Sequence, residues 1–209
     1  MARNEELYNA ILKGDRNTVQ TIFQAVIDQN QDVIELLDDS MIPAMREMGE
    51  RFSRNEIYVP EMLIAARAMQ AGLTLIEPIL AQNNHKSPGT IAVGTVKGDL
   101  HDIGKNLVVI MLKGAGYDVI DMGTNCGIEK YDEAVSAGAQ IVMCSALLTT
   151  TMTYMEEVVK HFKNNAAIRV VIGGAPVTQK YADFIGAHGY GRDANEAVKI
   201  VEKLIGATA

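Results

Sequence analysis

The feature that most constrains this 209-residue sequence is an abrupt change of hydrophobic period at Gln82-Asn83-Asn84-His85-Lys86-Ser87-Pro88-Gly89. Before that polar, turn-forming stretch, apolar residues recur every three or four positions and interior glycine is scarce, the pattern of amphipathic helices. The spacing predicts four helices. The first runs from Asn4 to Lys13 and stops at Gly14-Asp15. The second, Asn17 to Asp28, carries Val19, Ile22, Phe23 and Val26 on one face. The third spans Val33 to Phe52 with Met41, Met45 and Met48 in register, and Pro43 predicts a kink or a boundary near Ser40. The fourth starts near Pro60, a favoured first-turn position, and continues to Leu80 with Met62, Ala65, Ala66, Met69, Leu73 and Ile76 as its stripe. After Gly89 short apolar runs take over, at Thr90 to Thr95, Asp118 to Met122, Gln140 to Cys144, Val170 to Ile172 and His188 to Tyr190. Amphipathic stretches separate them, near Lys105 to Gly114, Ile128 to Gly138, Tyr154 to Asn164, Val177 to Gly186 and Asn195 to Ile205. Such alternation predicts a doubly wound parallel sheet with helices on both faces. Five strands joined by right-handed crossovers favour the flavodoxin-like, Rossmann-type order 2-1-3-4-5. The expected architecture is therefore α/β, with a four-helix bundle over residues 1–88 and the sheet domain over residues 89–209.

Charge and composition restrict the partners. The balance is −7, from 19 Lys+Arg against 26 Asp+Glu, with no basic run, so a footprint for nucleic acid is missing. No uninterrupted apolar stretch approaches the roughly 20 residues that cross a bilayer. The start, Met1-Ala2-Arg3-Asn4-Glu5-Glu6, has no apolar signal core. No membrane association and a cytoplasmic location are expected. The only cysteines, Cys126 and Cys144, provide neither a disulfide framework nor a Cys-based zinc site and fit a reducing compartment.

In a sheet of this order ligands bind outside the carboxyl ends of the strands, at the crevice between the first and third strands where the winding reverses. The loop after the first strand reads Lys97-Gly98-Asp99-Leu100-His101-Asp102-Ile103-Gly104-Lys105-Asn106, and that after the third reads Ser145-Ala146-Leu147-Leu148-Thr149-Thr150-Thr151. The fourth strand ends in Gly173-Gly174. A phosphate-cradling P-loop does not fit, because five residues separate Gly98 from Gly104 and Asn106 follows Lys105 where Ser or Thr is needed. A dinucleotide fingerprint fails on its glycine intervals. A phospho-receiver would end the third strand in Asp, and this chain has Cys144-Ser145. What remains is His101 between two carboxylates on a glycine-punctuated loop. Surface or loop-capping roles are the commoner ones for such a histidine. A single His does not make a zinc site, which takes three or four protein ligands. A metal held by His101 alone must bring its other ligands with it, as a macrocycle does.

Asp99-x-His101-x-x-Gly104, then Ser145-x-Leu147, then Gly173-Gly174 resembles the cobalamin-binding signature of methionine synthase and of the corrinoid proteins of multi-component methyltransferases. The resemblance implies a cobalamin or related corrinoid, carried as methylcobalamin in part of its cycle, with His101 as the lower ligand to cobalt. Gly98 and Gly104 let backbone approach the corrin, Gly173 and Gly174 leave room for its nucleotide tail, and Leu100, Asp102 and Ile103 are implied cofactor-binding residues. Ser145 and Thr149 offer hydroxyls to that tail, and Leu147 and Ala194 are further implied cofactor contacts. Asp99 is implied to link His101 to a hydroxyl six residues beyond Ser145, a place held here by Thr151 instead of Ser. Met48-Gly49-Glu50-Arg51-Phe52 and Ile57-Tyr58-Val59-Pro60-Glu61 resemble the helical cap of the same family, with Phe52 and Val59 at its apolar positions and Asp38 at that of a cap carboxylate. Simple core packing accounts equally for Phe52, Val59 and the Met stripe.

The cap and sheet together resemble the free-standing methyl carrier of these systems and not the mutases, the cobalamin-dependent repressors or methionine synthase, which add other modules. The implied activity belongs to a non-autonomous subunit. Cobalt(I) accepts a methyl group from a substrate-specific methyltransferase, and an acceptor methyltransferase passes it to coenzyme M or tetrahydrofolate. A reductive activase restores oxidised cobalt. The donor classes left open are methylamines, methanol, methoxylated aromatics and betaines. A corrinoid-binding sensor or storage protein is the alternative reading, and a flavin mononucleotide protein, cued by Thr95, a further one.

Overall fold

The computed structural model describes residues 3–82 and 87–206; residues 83–86, in the middle of the expected linker, lie outside the described residues. The chain divides into two units, Met1–Lys86 with Gly114–Gly116 and Ser87–Lys113 with Tyr117–Ala209.

In the first unit, α1 (Glu5–Lys13) opens where the Asn4 side chain accepts the Leu7 N–H, and it closes at Gly14 with φ 71°. Asp15 then caps α2 (Arg16–Asp28) by accepting the Thr18 N–H at 3.1 Å. A side chain at Gly14 would strike Ile64 as well as strain the backbone, so this tight corner needs glycine. The boundary expected near Ser40 takes the form of a π turn. The helix continues as α3 (Val33–Leu36), a π turn (Leu37–Met41) and α4 (Ile42–Ser53). Pro43 has no N–H to return to the carbonyl four residues back, and just before it the ladder widens so that the Ile42 N–H reaches the Leu37 carbonyl.

The last helix of this unit, α5 (Val59–Gln82), buries Met62, Ala65, Ala68, Met69 and Ile76 against α1, α2 and α4. Its stretch Val59–Leu80, 22 residues of mean hydropathy 1.3, is long and apolar enough to cross a bilayer by length and composition. Glu61, Arg67 and Glu77 interrupt it, so it is not an uninterrupted apolar run of that length. Core helices of bundles meet the same criterion, and this one buries its stripe among three others. Met41, Met45 and Met48 join Met62 and Met69 in a core of unbranched, adaptable side chains.

The second unit is a five-stranded sheet in the order β2-β1-β3-β4-β5, all parallel, as the alternation of periods predicts. Its strands are β1 (Thr90–Val96), β2 (Asp118–Cys126), β3 (Ile141–Ser145), β4 (Arg169–Gly173) and β5 (Gly189–Gly191). The helices are α6 (Ile103–Gly114), α7 (Ile128–Ser136), α8 (Thr149–Met152), α9 (Tyr154–Phe162), α10 (Gln179–Ile185) and α11 (Ala194–Gly206). β1 is buried from Ile91 to Val96 and β3 from Ile141 to Cys144, the continuous apolar character of central parallel strands. Two features depart from the sequence reading. The second strand runs on from Met122 to Cys126 through irregular pairing, and the short α8 precedes α9. At the carboxyl edge Thr95 pairs with Ser145, Ser145 with Gly173, and Gly173 with Gly191, a row of small residues across four strands.

Candidate functional site

The row ends where the β1–α6 loop and the β3–α8 loop meet over one carboxylate. Asp99 has no solvent exposure. Its Oδ1 accepts the His101 N–H at 2.9 Å and lies 2.7 Å from His101 Nδ1. Its Oδ2 accepts the Leu147 N–H at 2.9 Å and the Thr151 hydroxyl at 2.6 Å, with the Leu148 N–H at 3.4 Å. Burial on its own would raise the pKa of this carboxyl. The donors outweigh it, Thr151 first, then the Leu147 and His101 amides and the His101 ring, and hold Asp99 well below the usual carboxylate range. An ionised Asp99 can only accept, so the neutral imidazole carries its proton on Nδ1 and its lone pair on Nε2. The His101 side chain is 51% exposed, and Nε2 has no hydrogen-bond partner among the described residues.

Local sequence explains why the loop holds this shape. Gly98 sits at φ 83°, closing the turn in which the Asp99 N–H returns to the Val96 carbonyl at 3.0 Å. Thr95, fully buried at the end of β1, donates its hydroxyl to the His101 carbonyl at 3.1 Å. From β2, Asn125 accepts the Gly98 N–H at 2.8 Å and donates its own N–H to the Asp99 carbonyl at 3.0 Å. Lys105, 2% exposed in the first turn of α6, pairs with Asp121 of β2. The sequence reading missed Asn125 and Lys105 as supports of this loop and met Thr95 only as a flavin cue. A Gly-Thr-Asn run inside a strand was the available signal for the first of them, because such residues mark bulges.

The structure thus gathers Gly98, Asp99, His101, Leu147 and Thr151 into one network, and Ser145 stands beside Thr95 in the row. Leu100, Ile103 and Leu147 of the sequence reading, together with Leu148, are exposed on the two loops at 72%, 76%, 47% and 42%. Gly104, in the first turn of α6, has open space where a side chain would stand. Asp102 accepts from Asn106 Nδ2 at 3.1 Å, and Thr149 lies exposed at the start of α8. Ala194, buried, opens α11 beyond β5. Gly173 and Gly174 serve the chain's own packing. A side chain at Gly173 would press on the Gly191 carbonyl, and one at Gly174, φ 121°, would strike the Ala146 carbonyl. In the helical unit, Asp38 is exposed on the π turn, while Phe52 and Val59 are half-buried near the end of α4 and the start of α5.

The donor set decides what such a site can hold. No cluster of three His, Cys, Asp or Glu side chains able to bind a metal ion occurs among the described residues. Burial pushes the Cys144 thiol up to about 12 and raises that of Cys126, so neither offers a thiolate. One oriented imidazole with no partner at Nε2 among the described residues, on loops that also expose Leu100, Ile103, Leu147 and Leu148, fits a metal that arrives within a flat, largely apolar macrocycle, and the residues present fit a corrinoid.

Comparison with known proteins gives the same class. Models of the B12 binding domain match residues 89–199 and residues 3–77. A corrinoid protein of Desulfitobacterium hafniense is 36% identical over 213 residues, covering 99% of both chains. The trimethylamine corrinoid protein of Methanosarcina barkeri is 38% identical over 215 residues, 98% of this chain and 99% of that one. Among solved structures, the methanol:cobalamin methyltransferase complex MtaBC of Methanosarcina barkeri aligns with a TM-score of 0.84 and 30% identity, over 98% of this chain and 80% of that one. The chain belongs to the family of B12-binding corrinoid proteins, and its cofactor is a corrinoid.

Proposed function

We propose that this protein is the methyl-carrying corrinoid subunit of a multi-component methyltransferase system, with His101 as the lower axial ligand to cobalt. The observation that carries the reading is the His101 ring, tied at Nδ1 to a buried, hydrogen-bonded carboxylate and half exposed, on a loop that also exposes Leu100 and Ile103. The bound corrinoid supplies a cobalt centre that takes up and gives up a methyl group. Asp99 keeps the proton on Nδ1 and so keeps Nε2 a lone-pair donor, while Thr151 and the Leu147 amide stop the carboxylate from swinging away. A proton exchanged at the bound group would be held by the hydrogen-bonded chain of His101, Asp99 and Thr151. Leu100, Ile103 and Leu147 cover apolar ligand surface and exclude water, and Ser145 and Thr149 offer hydroxyls to the nucleotide tail. Gly98, Asp102, Gly104, Gly173, Gly174 and Ala194 complete the proposed contacts of the sheet unit, and Phe52, Val59 and Asp38 those of the helical unit. The relatives named above support a methyltransferase as partner. The proposal extends this to a substrate-specific donor methyltransferase, a methylcorrinoid-dependent acceptor methyltransferase and a reductive activase, all cytoplasmic.

Reconstitution with hydroxocobalamin tests the reading. The expected product is red, with about one cobalt per chain. Reduced to cobalt(II), it shows axial nitrogen splitting in its paramagnetic spectrum that His101→Ala abolishes. Failure to take up the cofactor, or unchanged splitting in the variant, overturns the assignment. Methyl transfer from methylamines or methanol in the presence of donor methyltransferases separates a carrier from a storage protein.

A further inference from the structure

At its carboxyl end the edge strand β2 leaves regular pairing with β1 twice, between Val93 and Gly94 and again between Gly94 and Val96. Met122 is the extra residue at the first irregularity, and Thr124 and Asn125 together face Thr95 at the second. Gly123 and Asn125 take up the turn with φ of 75° and 51°, and Asn is one of the few non-glycine residues that adopt this conformation readily. Bulges re-aim side chains and recur beside functional sites. Here the double bulge turns Asn125 onto the β1–α6 loop, where its Oδ1 takes the Gly98 N–H and its N–H meets the Asp99 carbonyl. Asp121, next to the first bulge, accepts the Gly123 N–H at 2.9 Å and also holds Lys105. The segment that carries His101 is therefore gripped by β2 at both ends, at Gly98–Asp99 and at Lys105.

We propose that Asn125 is a positioning residue for His101. The backbone of Asp99 is fixed from β2 by Asn125, and its Oδ2 from the β3 side by Leu147 and Thr151. Only with both held does Oδ1 face His101 Nδ1 at a fixed angle, which selects the ring nitrogen that keeps its proton and aims Nε2. Removing the Asn125 oxygen frees the Gly98 N–H and lets the Gly98–Asp99 peptide rotate, so the ring loses its single orientation. The proposal rests on His101 as the cobalt ligand, but its first test needs no cofactor.

Two variants separate the backbone from the side chain. Asn125→Gly keeps the left-handed conformation and loses the acceptor, whereas Asn125→Asp keeps both. In the apoprotein, nitrogen NMR of the His101 ring is expected to show one Nδ1–H tautomer for the native chain and for Asn125→Asp, and a mixture for Asn125→Gly. After reconstitution with hydroxocobalamin and reduction to cobalt(II), the ratio of nitrogen-ligated to unligated cobalt is expected to fall about tenfold in Asn125→Gly and to be restored in Asn125→Asp. Native tautomer and native splitting in Asn125→Gly, whatever its melting temperature, overturn the proposal and leave Asn125 a loop support. Absence of nitrogen splitting in the native protein overturns His101 as ligand instead, and the NMR comparison still decides the role of Asn125.

Discussion

Two histidine–aspartate pairs of equal length stand in the sheet unit, one at the carboxyl edge of the strands and one on the outer surface of the helices. His101 Nδ1 and Asp99 Oδ1 are 2.7 Å apart, and so are His161 Nε2 of α9 and Asp132 Oδ1 of α7. Asp132 is 51% exposed and carries no other hydrogen bond among the described residues, whereas Asp99 is fully buried and receives three backbone amides and a hydroxyl besides the ring. His161 packs edge-on against Phe162 at 4.7 Å, while the far nitrogen of His101 has no hydrogen-bond partner among the described residues, on a loop that exposes Leu100 and Ile103. The contact distance is the same, and what differs is how firmly the carboxylate itself is held. A carboxylate fixed by several donors in a dry site fixes its histidine in turn, and one free to rotate in water does not.

The comparison breaks if the two carboxylates prove interchangeable. Asp99→Ala removes the acceptor of three backbone amides, a hydroxyl and the ring, and is expected to cost about 3–5 kcal/mol in urea unfolding at neutral pH. Asp132→Ala is expected to stay within about 0.5 kcal/mol. Equal losses would show that the donors around Asp99 add nothing. Next in size is Gly174→Ala, which forces a side chain at positive φ against the Ala146 carbonyl and shifts the turn that offers the Leu147 N–H. About 2 kcal/mol should be lost there, against nearly none for Gly104→Ala, where space is open. Thr151→Val removes one charge-assisted donor and is expected to cost about 1.5 kcal/mol, with Thr151→Ser returning most of it. A double-mutant cycle with Asp99→Asn locates the coupling, and full additivity would separate Thr151 from the network.

The smallest effect sharpens the comparison with a third histidine. His188 accepts the Val170 N–H on Nδ1 at 3.0 Å, and burial, then the Arg169 charge, lower its pKa from the ordinary 6.5. The unfolded chain therefore protonates this ring at higher pH than the folded one does. Stability from this group is complete above about pH 6.5 and declines as the pH falls toward the folded value, a slope that His188→Gln should flatten. An unchanged slope would remove His188 from the account.

Much of this was legible in the linear chain. The change of period at Gln82 to Gly89 separates a helical from a strand-and-helix half, and the alternation after it restricts the sheet to the order observed. Asp99 and His101 stand two apart on a loop, a separation short enough for local hydrogen bonding to be read from sequence. The π turn escaped, because Pro43 predicts only that the helix is disturbed there; whether the ladder breaks or widens depends on what the surrounding helices bury. The bulges of β2 escaped for a related reason. Pairing register between two strands is a property of both, and the apolar run that marks a strand says nothing of where it slips.

Sequence by itself determined the two kinds of domain, the parallel winding and the chemical identity of the loop residues, since these depend on periodicity and on residues close together along the chain. Tertiary structure alone decided that Asp99 is dry and held from three strands. Leu147 and Thr151 lie about fifty positions from it and Asn125 about half that far, and only the right-handed winding of β1, β2 and β3 brings them to one carboxylate. Burial and donor number are properties of that assembly, and they separate the His101 pair from the otherwise equal one at His161.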